Sequence, residues 1–149
     1  SSQNVTFYLA GDLDKGNPNS LTQKELEDLK KISSLNYLGY IDLQKEIHNY
    51  DLLLSLSDHE GFSRVLLEAM YVGLFVVAYE NNGTEYINNF ENTILLNSKD
   101  IKYLENKINE FLNEKISISS QNRKQISKHY STQYIASQFA KIYKEKSDD

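Results

Sequence analysis

The sequence predicts one α/β domain built on a doubly wound, mostly parallel sheet. Two nearly continuous apolar runs, at 51–56 and 74–78, are typical of strands that helices cover on both faces. Segments with helical periodicity separate these runs from their neighbours, and the alternation continues along the chain. The chain has 149 residues, 40% of them hydrophobic and 25% charged, which suffices for one domain with helices packed on a sheet.

The first fifty residues divide into a strand, a loop, a helix, a second strand and a short helix. We expect these segments at 5–10, 11–20, 21–33, 35–40 and 43–50. The helix has two N-cap candidates, Ser20 and Thr22, because both side chains can accept a hydrogen bond from a first-turn amide.

Beyond residue 50 the same patterns predict three strands and four helices. The strands are expected at 51–56, 74–78 and 93–96, and the helices at 62–73, 101–112, 119–130 and 132–145. Ligands of such sheets bind at the carboxyl ends of the strands. This rule favours the loops at 11–20, 39–42, 57–63 and 79–85 as the place of a site.

Composition excludes several classes of function. The 16 Lys and Arg residues against 21 Asp and Glu give a net charge of −5, so nucleic acid is not an expected partner. The absence of cysteine excludes disulfides and thiolate metal sites. No apolar run reaches the ~18–20 residues of a membrane span, and the first five residues have neither the basic nor the apolar region expected of a signal segment. We therefore expect a cytoplasmic protein.

Common catalytic and nucleotide-binding motifs fail on spacing. No G-x-G-x-x-G occurs, and Asn17 stands where a Walker loop requires lysine. Ser63 stands where a zinc-protease motif beginning at His59 needs its second histidine, so no metal site is expected. The stretch 61–65 lacks the second glycine of a nucleophile elbow. The simpler role for Ser63 is the N-cap of the helix that follows.

Two glutamates, Glu60 and Glu68, flank the junction between the strand at 51–56 and the next helix. Gly61 would let a ligand approach the backbone, and the unpaired first amides of a helix attract an anion such as a diphosphate. A fully helical interval would separate the two Cα atoms by about 12 Å, more than the spacing of a hydrolytic carboxylate pair. The pattern therefore favours the two ends of one long ligand.

This run resembles the glutamate-x7-glutamate signature of the retaining glycosyltransferases of family 4. The similarity extends over nearly all 149 residues. Further segments occur in the order of that family at 7–11, 16–18, 37–41, 51–57, 73–78 and 83–85. The Gly-Asn-Pro loop at 16–18 and Arg64 are most similar to the branch that builds capsule and lipopolysaccharide. The resemblance implies a Rossmann-like domain, residues 1–149, forming the C-terminal, donor-binding half of a GT-B fold.

The resemblance also implies roles for particular residues. Glu60, the expected catalytic residue, would face the hydroxyls of the transferred sugar, and Glu68 would bind the ribose hydroxyls. The other donor-binding residues would be Gly61, Phe62 and Ser63 at the sugar, Arg64 and Val65 at the diphosphate, Tyr40 and Ile41 near the base, and Gly11.

The implied substrate is a UDP-sugar or another nucleotide sugar, used without metal or cofactor and with retention of anomeric configuration. The acceptor, a glycan or lipid-linked glycan, would bind through an N-terminal domain that this chain lacks. The Arg and Lys that clamp the diphosphate in the family are also expected upstream of this chain. The isolated domain is then expected to be inactive. The whole protein would lie in the cytoplasm, with peripheral association at the inner face of the membrane.

Other readings of the same residues remain open at this point. A phosphorylation-controlled receiver domain shares the fold class and would use Asp12, Asp14 and Asp58. A receiver needs a lysine at the end of the strand at 93–96, however, and Lys99 comes three residues after that end. A sugar-nucleotide epimerase is a third class. Structurally, Glu60 would favour a helix N-terminus through the dipole, and Glu68 would pair with Arg64 one turn earlier.

Overall fold

The computed structural model describes residues 5–14, 16, 20–59, 61–97, 99–113 and 120–147, with side chains through 141 except at 120. The chain divides into two compact units, Ser1–Glu46 and Ile47–Asp149, and each is described by itself. The α/β class is confirmed, and every strand pair is parallel. The expected sheet is divided, because β1 and β2 form a two-stranded sheet and β3, β4 and β5 a three-stranded one.

In the first unit, β1 (Phe7–Ala10) pairs with β2 (Leu35–Gly39). The connection between them contains α1 (Gln23–Leu29), and α2 (Leu43–Glu46) follows β2. The register of the two strands shifts between Leu9 and Ala10. At this irregularity, Gly39 adopts a φ of +64°, which residues with a side chain rarely adopt.

Helix α1 begins with a capping box. The Thr22 hydroxyl accepts a hydrogen bond from the Glu25 amide at 3.2 Å, and the Glu25 carboxylate accepts one from the Thr22 amide at 2.8 Å. Of the two N-cap candidates in the sequence, Thr22 therefore has the role. The hydrogen bond from the Thr22 backbone lowers the pKa of Glu25. The helix ends at Leu29, earlier than the predicted 33.

The second unit contains β3 (Leu52–Ser55), β4 (Phe75–Tyr79) and β5 (Thr93–Leu96), in that spatial order. All three strands were predicted from their apolar runs. In the register, Val77 of β4 lies opposite Leu54 of β3 and Ile94 of β5.

The same unit contains α3 (Arg64–Val72), α4 (Ile101–Asn113), α5 (Ser120–His129) and α6 (Thr132–Ser147). Helices α3 and α4 pack on the sheet, α5 packs against α3, and α6 packs against α5. Two 3₁₀ segments, Ile47–Asn49 and Glu85–Asn89, add short turns. The first replaces the end of the helix predicted at 43–50, and the second lies in a stretch for which the sequence predicted no element. None of the helices in the described residues combines the length and hydropathy needed to cross a bilayer.

Strand β4 is the centre of the core. Phe75 and Val77 pack with Leu104 and Phe111 of α4, and the rings of Phe75 and Phe111 stack with centroids 4.8 Å apart. The alternation of side chains along a strand directs Val76 to the opposite face, where it is fully buried. Helix α3 packs against β3 and β4. Burial on both faces explains why this strand reads as an uninterrupted apolar run.

Candidate functional site

The loops that follow β3, β4 and β5 are tied to one another at the carboxyl ends of the strands. Lys99, after β5, forms an ion pair with Asp58, after β3, with an Nζ–Oδ2 distance of 2.7 Å. The Asn81 side chain, after β4, donates a hydrogen bond to the carbonyl oxygen of Ser57 at 3.2 Å. We call residues 57–63 the corner, since they join β3 to α3.

The loop after β4 has a buried anchor, Thr84, which is 1% exposed. Its hydroxyl donates to the carbonyl oxygen of Tyr79 at 2.7 Å and accepts from the amide of Asn81 at 2.9 Å. The Asn81 side chain in turn accepts from the amide of Gly83 at 2.9 Å. These bonds hold Asn81 in the position from which it reaches the corner.

Helix α3 begins at the end of the corner. Ser63 occupies the N-cap position with extended backbone, as the sequence predicted. Within the described residues, however, its hydroxyl makes no capping hydrogen bond. The amides of the first turn are therefore not capped by that side chain and, together with the helix dipole, can receive an anion.

Space is open beside Gly61. A β-carbon built on this residue would meet no described atom within 4 Å. Gly61 is thus not required by the packing of this chain, and its exposed backbone leaves room for a ligand.

Phe62 is half exposed, with 53% of its surface accessible, and lies against other aromatic rings. It stacks on Tyr86 with centroids 5.0 Å apart and on Tyr130 at 6.2 Å. Phe90 extends this cluster through its contact with Tyr130 at 5.9 Å. The cluster could not be predicted from the sequence, because its rings are widely separated along the chain and no local pattern marks such a contact.

Glu68 lies on the second turn of α3 and is half-buried, whereas Arg64 and Val65 on the first turn are exposed. In the described part of the chain, no ion pair joins Glu68 to Arg64. The structural alternative for Glu68, a pair with the arginine one turn earlier, is therefore not supported. Glu60 lies outside the described residues, and its catalytic role stays a prediction.

Gly11, Tyr40 and Ile41 belong to the first unit. Gly11 has a φ of +122°, and its amide donates to the carbonyl oxygen of Gly39 at 2.8 Å. Its own carbonyl accepts from the Tyr37 hydroxyl at 2.9 Å. Tyr40 is 81% exposed, and Ile41 is partly buried. These positions lie at the carboxyl ends of β1 and β2, where the sequence placed them.

The described residues contain no group of three or more His, Cys, Asp or Glu side chains that could hold a metal ion. The ion pair shifts the pKa values of its own two groups and favours their charged forms. The hydrogen bond from Lys99 lowers the pKa of Asp58, and the same bond raises the pKa of Lys99.

The structure is similar to solved structures over most of the chain. Anabaena Alr3699/HepE in complex with UDP matches with a TM-score of 0.76 and 25% identity, over 95% of this chain and 41% of that one. The same protein in complex with UDP-glucose matches with 0.76 and 24% identity, again over 95% and 41%. The GtfA/B complex matches with 0.63 and 22% identity, over 85% and 28%.

The chain thus spans less than half the length of these solved chains. No curated protein matches it significantly. The model of the family described as "Glycosyl transferases group 1" matches residues 1–132, which include the corner and helix α3. The α/β fold with parallel sheets is similar to the C-terminal domains of GT-B glycosyltransferases. The chain belongs to the glycosyl transferases group 1.

Proposed function

We propose that residues 1–149 form the donor-binding domain of a retaining, family 4 glycosyltransferase that uses a UDP-sugar. The transferred sugar would pass to a glycan or lipid-linked glycan in the synthesis of a surface polysaccharide. The protein would act in the cytoplasm at the inner face of the membrane, with no metal or cofactor, and the acceptor would bind in an N-terminal domain. The observation that carries the proposal is the family match across the corner and α3.

The donor class is supported by a structural neighbour. Alr3699/HepE was solved in complex with UDP and with UDP-glucose, and this chain is 25% identical to it. A uridine diphosphate carries its negative charge on the phosphates. The uncapped first turn of α3 offers the amide donors and the positive end of the helix dipole that such a charge requires.

The donor would lie lengthwise along this turn. In the proposed arrangement, the amides of Arg64 and Val65 bind the diphosphate and Glu68 binds the ribose hydroxyls. Glu68, a half-buried residue, suits that role, because among the described residues no ion pair neutralises its carboxylate. The backbone of 61–63 would face the sugar. The donor-binding roles of Gly11, and of Tyr40 and Ile41 near the base, stay predictions from the resemblance.

The chemistry follows from where charge develops during transfer. As the bond between the sugar and the diphosphate breaks, negative charge grows on the leaving phosphate. Amides that already point at that phosphate stabilise this charge without reorganising. Glu60 would orient and polarise the sugar rather than attack it, and the leaving diphosphate would accept the proton of the acceptor hydroxyl.

The receiver alternative gains one contact from the structure, the bond between Asp58 and Lys99. Both residues lie within the region that matches the glycosyltransferase family, however. The same contact is explained by its position, since it joins two loops beside the proposed site. The receiver and epimerase alternatives therefore lack independent support.

Calorimetric titration with UDP tests the proposal on the purified chain. We expect binding in the presence of EDTA. In NMR spectra of the same titration, the largest amide chemical-shift changes should fall between Gly61 and Glu68. The variant Glu68→Gln should weaken UDP binding about 10-fold or more, because a hydrogen bond to a charged group is lost. Glu105→Gln, the same change at an exposed position on α4, should bind as the parent does.

Three results would contradict this proposal: no binding of UDP at millimolar concentration, amide shifts confined to other regions, or equal affinity for Glu68→Gln and the parent chain. A response to Mg²⁺ with a phosphoryl mimic, in place of UDP, would favour a receiver. In the whole protein, the anomeric proton of the glycosylated product, observed by NMR, tests the retention of configuration.

A further inference from the structure

Tyr86 contacts the corner twice, although the sequence analysis did not single it out. Its hydroxyl donates a hydrogen bond to the carbonyl oxygen of Ser63 at 2.6 Å. Its ring stacks on Phe62 at 5.0 Å with an interplanar angle of 29°. One side chain therefore holds both residues that immediately precede helix α3.

The segment that carries Tyr86 is itself fixed on both sides. Ile87, the next residue, is 0% exposed, and its carbonyl oxygen accepts a hydrogen bond from the hydroxyl of Thr93 at 2.9 Å. On the other side, Thr84 is buried and bonded to the carbonyl of Tyr79 at 2.7 Å. Because buried and hydrogen-bonded neighbours flank it, Tyr86 has a defined position from which to hold the corner.

The same connection holds the other end of the corner. Asn81 donates to the carbonyl oxygen of Ser57 at 3.2 Å, as Tyr86 donates to that of Ser63 at 2.6 Å. The first and last residues of the corner are thus both bonded to the connection between β4 and β5. The described residues between them are exposed, so packing alone does not fix their backbone.

The geometry of the peptide group links the hydrogen bond between Tyr86 and Ser63 to the proposed site. The carbonyl of Ser63 and the amide of Arg64 belong to one planar peptide unit, so a bond that fixes the oxygen also fixes the direction of the N–H. We propose that Tyr86 is a positioning residue, which orients the Arg64 amide toward the donor diphosphate. This inference rests on the proposed function, and it adds a residue that does not itself touch the donor.

The variant Tyr86→Phe tests the inference, because it removes the hydroxyl and keeps the stacked ring. We expect UDP to bind about 3- to 10-fold more weakly, while the much weaker binding of uridine, which has no phosphate, stays unchanged. Residual dipolar couplings in the ligand-free chain should report a changed direction of the Arg64 N–H. Tyr130→Phe is the matched control, since it removes a hydroxyl from a ring that also stacks on Phe62.

Equal UDP affinity for Tyr86→Phe and the parent would overturn the inference. So would an equal loss in Tyr130→Phe, or a parallel loss of uridine binding, because either indicates a general loosening of the aromatic cluster. Thermal unfolding of each variant verifies that binding is measured on folded protein. If the parent binds no UDP, the proposed function fails by itself. An unchanged Arg64 N–H direction in Tyr86→Phe then still decides against the positioning role.

Discussion

The contact between Asp58 and Lys99 shows how a pair of exposed residues can respond to pH. Folding lowers the pKa of the Asp58 carboxyl, so its contribution to stability is present above the unfolded pKa and lost as the pH falls through the folded value. Folding raises the pKa of Lys99, so its contribution is present below the unfolded pKa and lost as the pH rises through the folded value. The pair is therefore complete between the ordinary values of 3.8 and 10.5.

Replacing the lysine should release the carboxyl. In Lys99→Gln we expect the pKa of Asp58 to rise toward its ordinary value, because the hydrogen bond from the ammonium group is lost. Carbon-detected NMR titration of the carboxyl measures this change. The free energy of unfolding should hardly change, since both groups are exposed to solvent. Lys128→Gln, on α5, is the control, and an equal shift of Asp58 in that variant would contradict the assignment.

Single residues also show what the sequence could not predict. The N-cap position of Ser63 followed from local pattern, but its missing capping bond did not. That detail depends on how the side chain is oriented in a buried setting. Glu68 and Arg64 have the spacing of an ion pair and do not form one among the described residues. Spacing permits a contact, while competing interactions decide whether it forms.

Among the elements, α3 connects the core to the proposed site. Its inner face carries Leu66, Ala69 and Met70, all 0% exposed. The packing of its later turns therefore fixes the position of the helix, while the direction of its first amide depends also on the hydrogen bond from Tyr86 to Ser63. Gly73 ends the helix with a φ of 98°, which allows the chain to enter β4 directly.

Truncation of the inner face should destabilise the second unit. We expect Leu66→Ala to lower the free energy of unfolding by about 2–5 kcal/mol, because it leaves a cavity in a fully buried site. Ile101→Ala, at a position that is 78% exposed, should change it by less than about 1 kcal/mol. Urea unfolding followed by circular dichroism measures both. Similar losses in the two variants would mean that α3 does not pack as described.

Elements with an apolar run or a clear period were predicted well, and short helical segments were predicted poorly. The strand at 74–78 became β4, and the helix at 101–112 became α4, because their patterns reflect burial directly. The 3₁₀ segment Glu85–Asn89 was missed, since 3₁₀ turns are too short to show a period. Helix α1 was predicted too long because its apolar spacing continues after the last helical residue.

At the scale of the whole molecule, the two units differ in how much they bury. Nearly all of the buried hydrophobic residues of the described chain belong to the second unit, and Leu26 is the exception in the first. Free energies of local opening follow burial and the protection of backbone hydrogen bonds. The two parallel sheets should therefore differ in their resistance to exchange.

Native-state hydrogen exchange measures that difference. We expect the amides of Val77 and Ala78 in β4 to exchange at least about 10-fold more slowly than those of Tyr37 and Leu38 in β2, because β4 is buried on both faces. Mass spectrometry of peptic fragments gives the rates. Equal protection in the two strands would mean that the units open together as one cooperative body.

The class of the fold followed from the sequence and the glycosyltransferase group from its resemblance, while the division into two sheets and the aromatic cluster followed from neither. Family 4 and the capsule branch stay predictions. Apolar runs and their spacing predict where the strands lie and their order along the chain. Which strands pair in one sheet depends on backbone geometry that no local pattern records. The contacts of Phe62 with Tyr86 and Tyr130 were not predicted either, because they join positions tens of residues apart.

The side chain of Asn122, which is 1% exposed, accepts from the amide and donates to the carbonyl of Glu91, at 2.9 and 2.7 Å. It thus satisfies a backbone unit just ahead of β5 in the manner of a neighbouring strand. Arg123 beside it donates to the carbonyl of Tyr71, near the end of α3. Helix α5 is therefore hydrogen-bonded to two earlier parts of the chain, the residues before β5 and the end of α3. A shortened chain that is meant to fold as this unit must therefore retain α5.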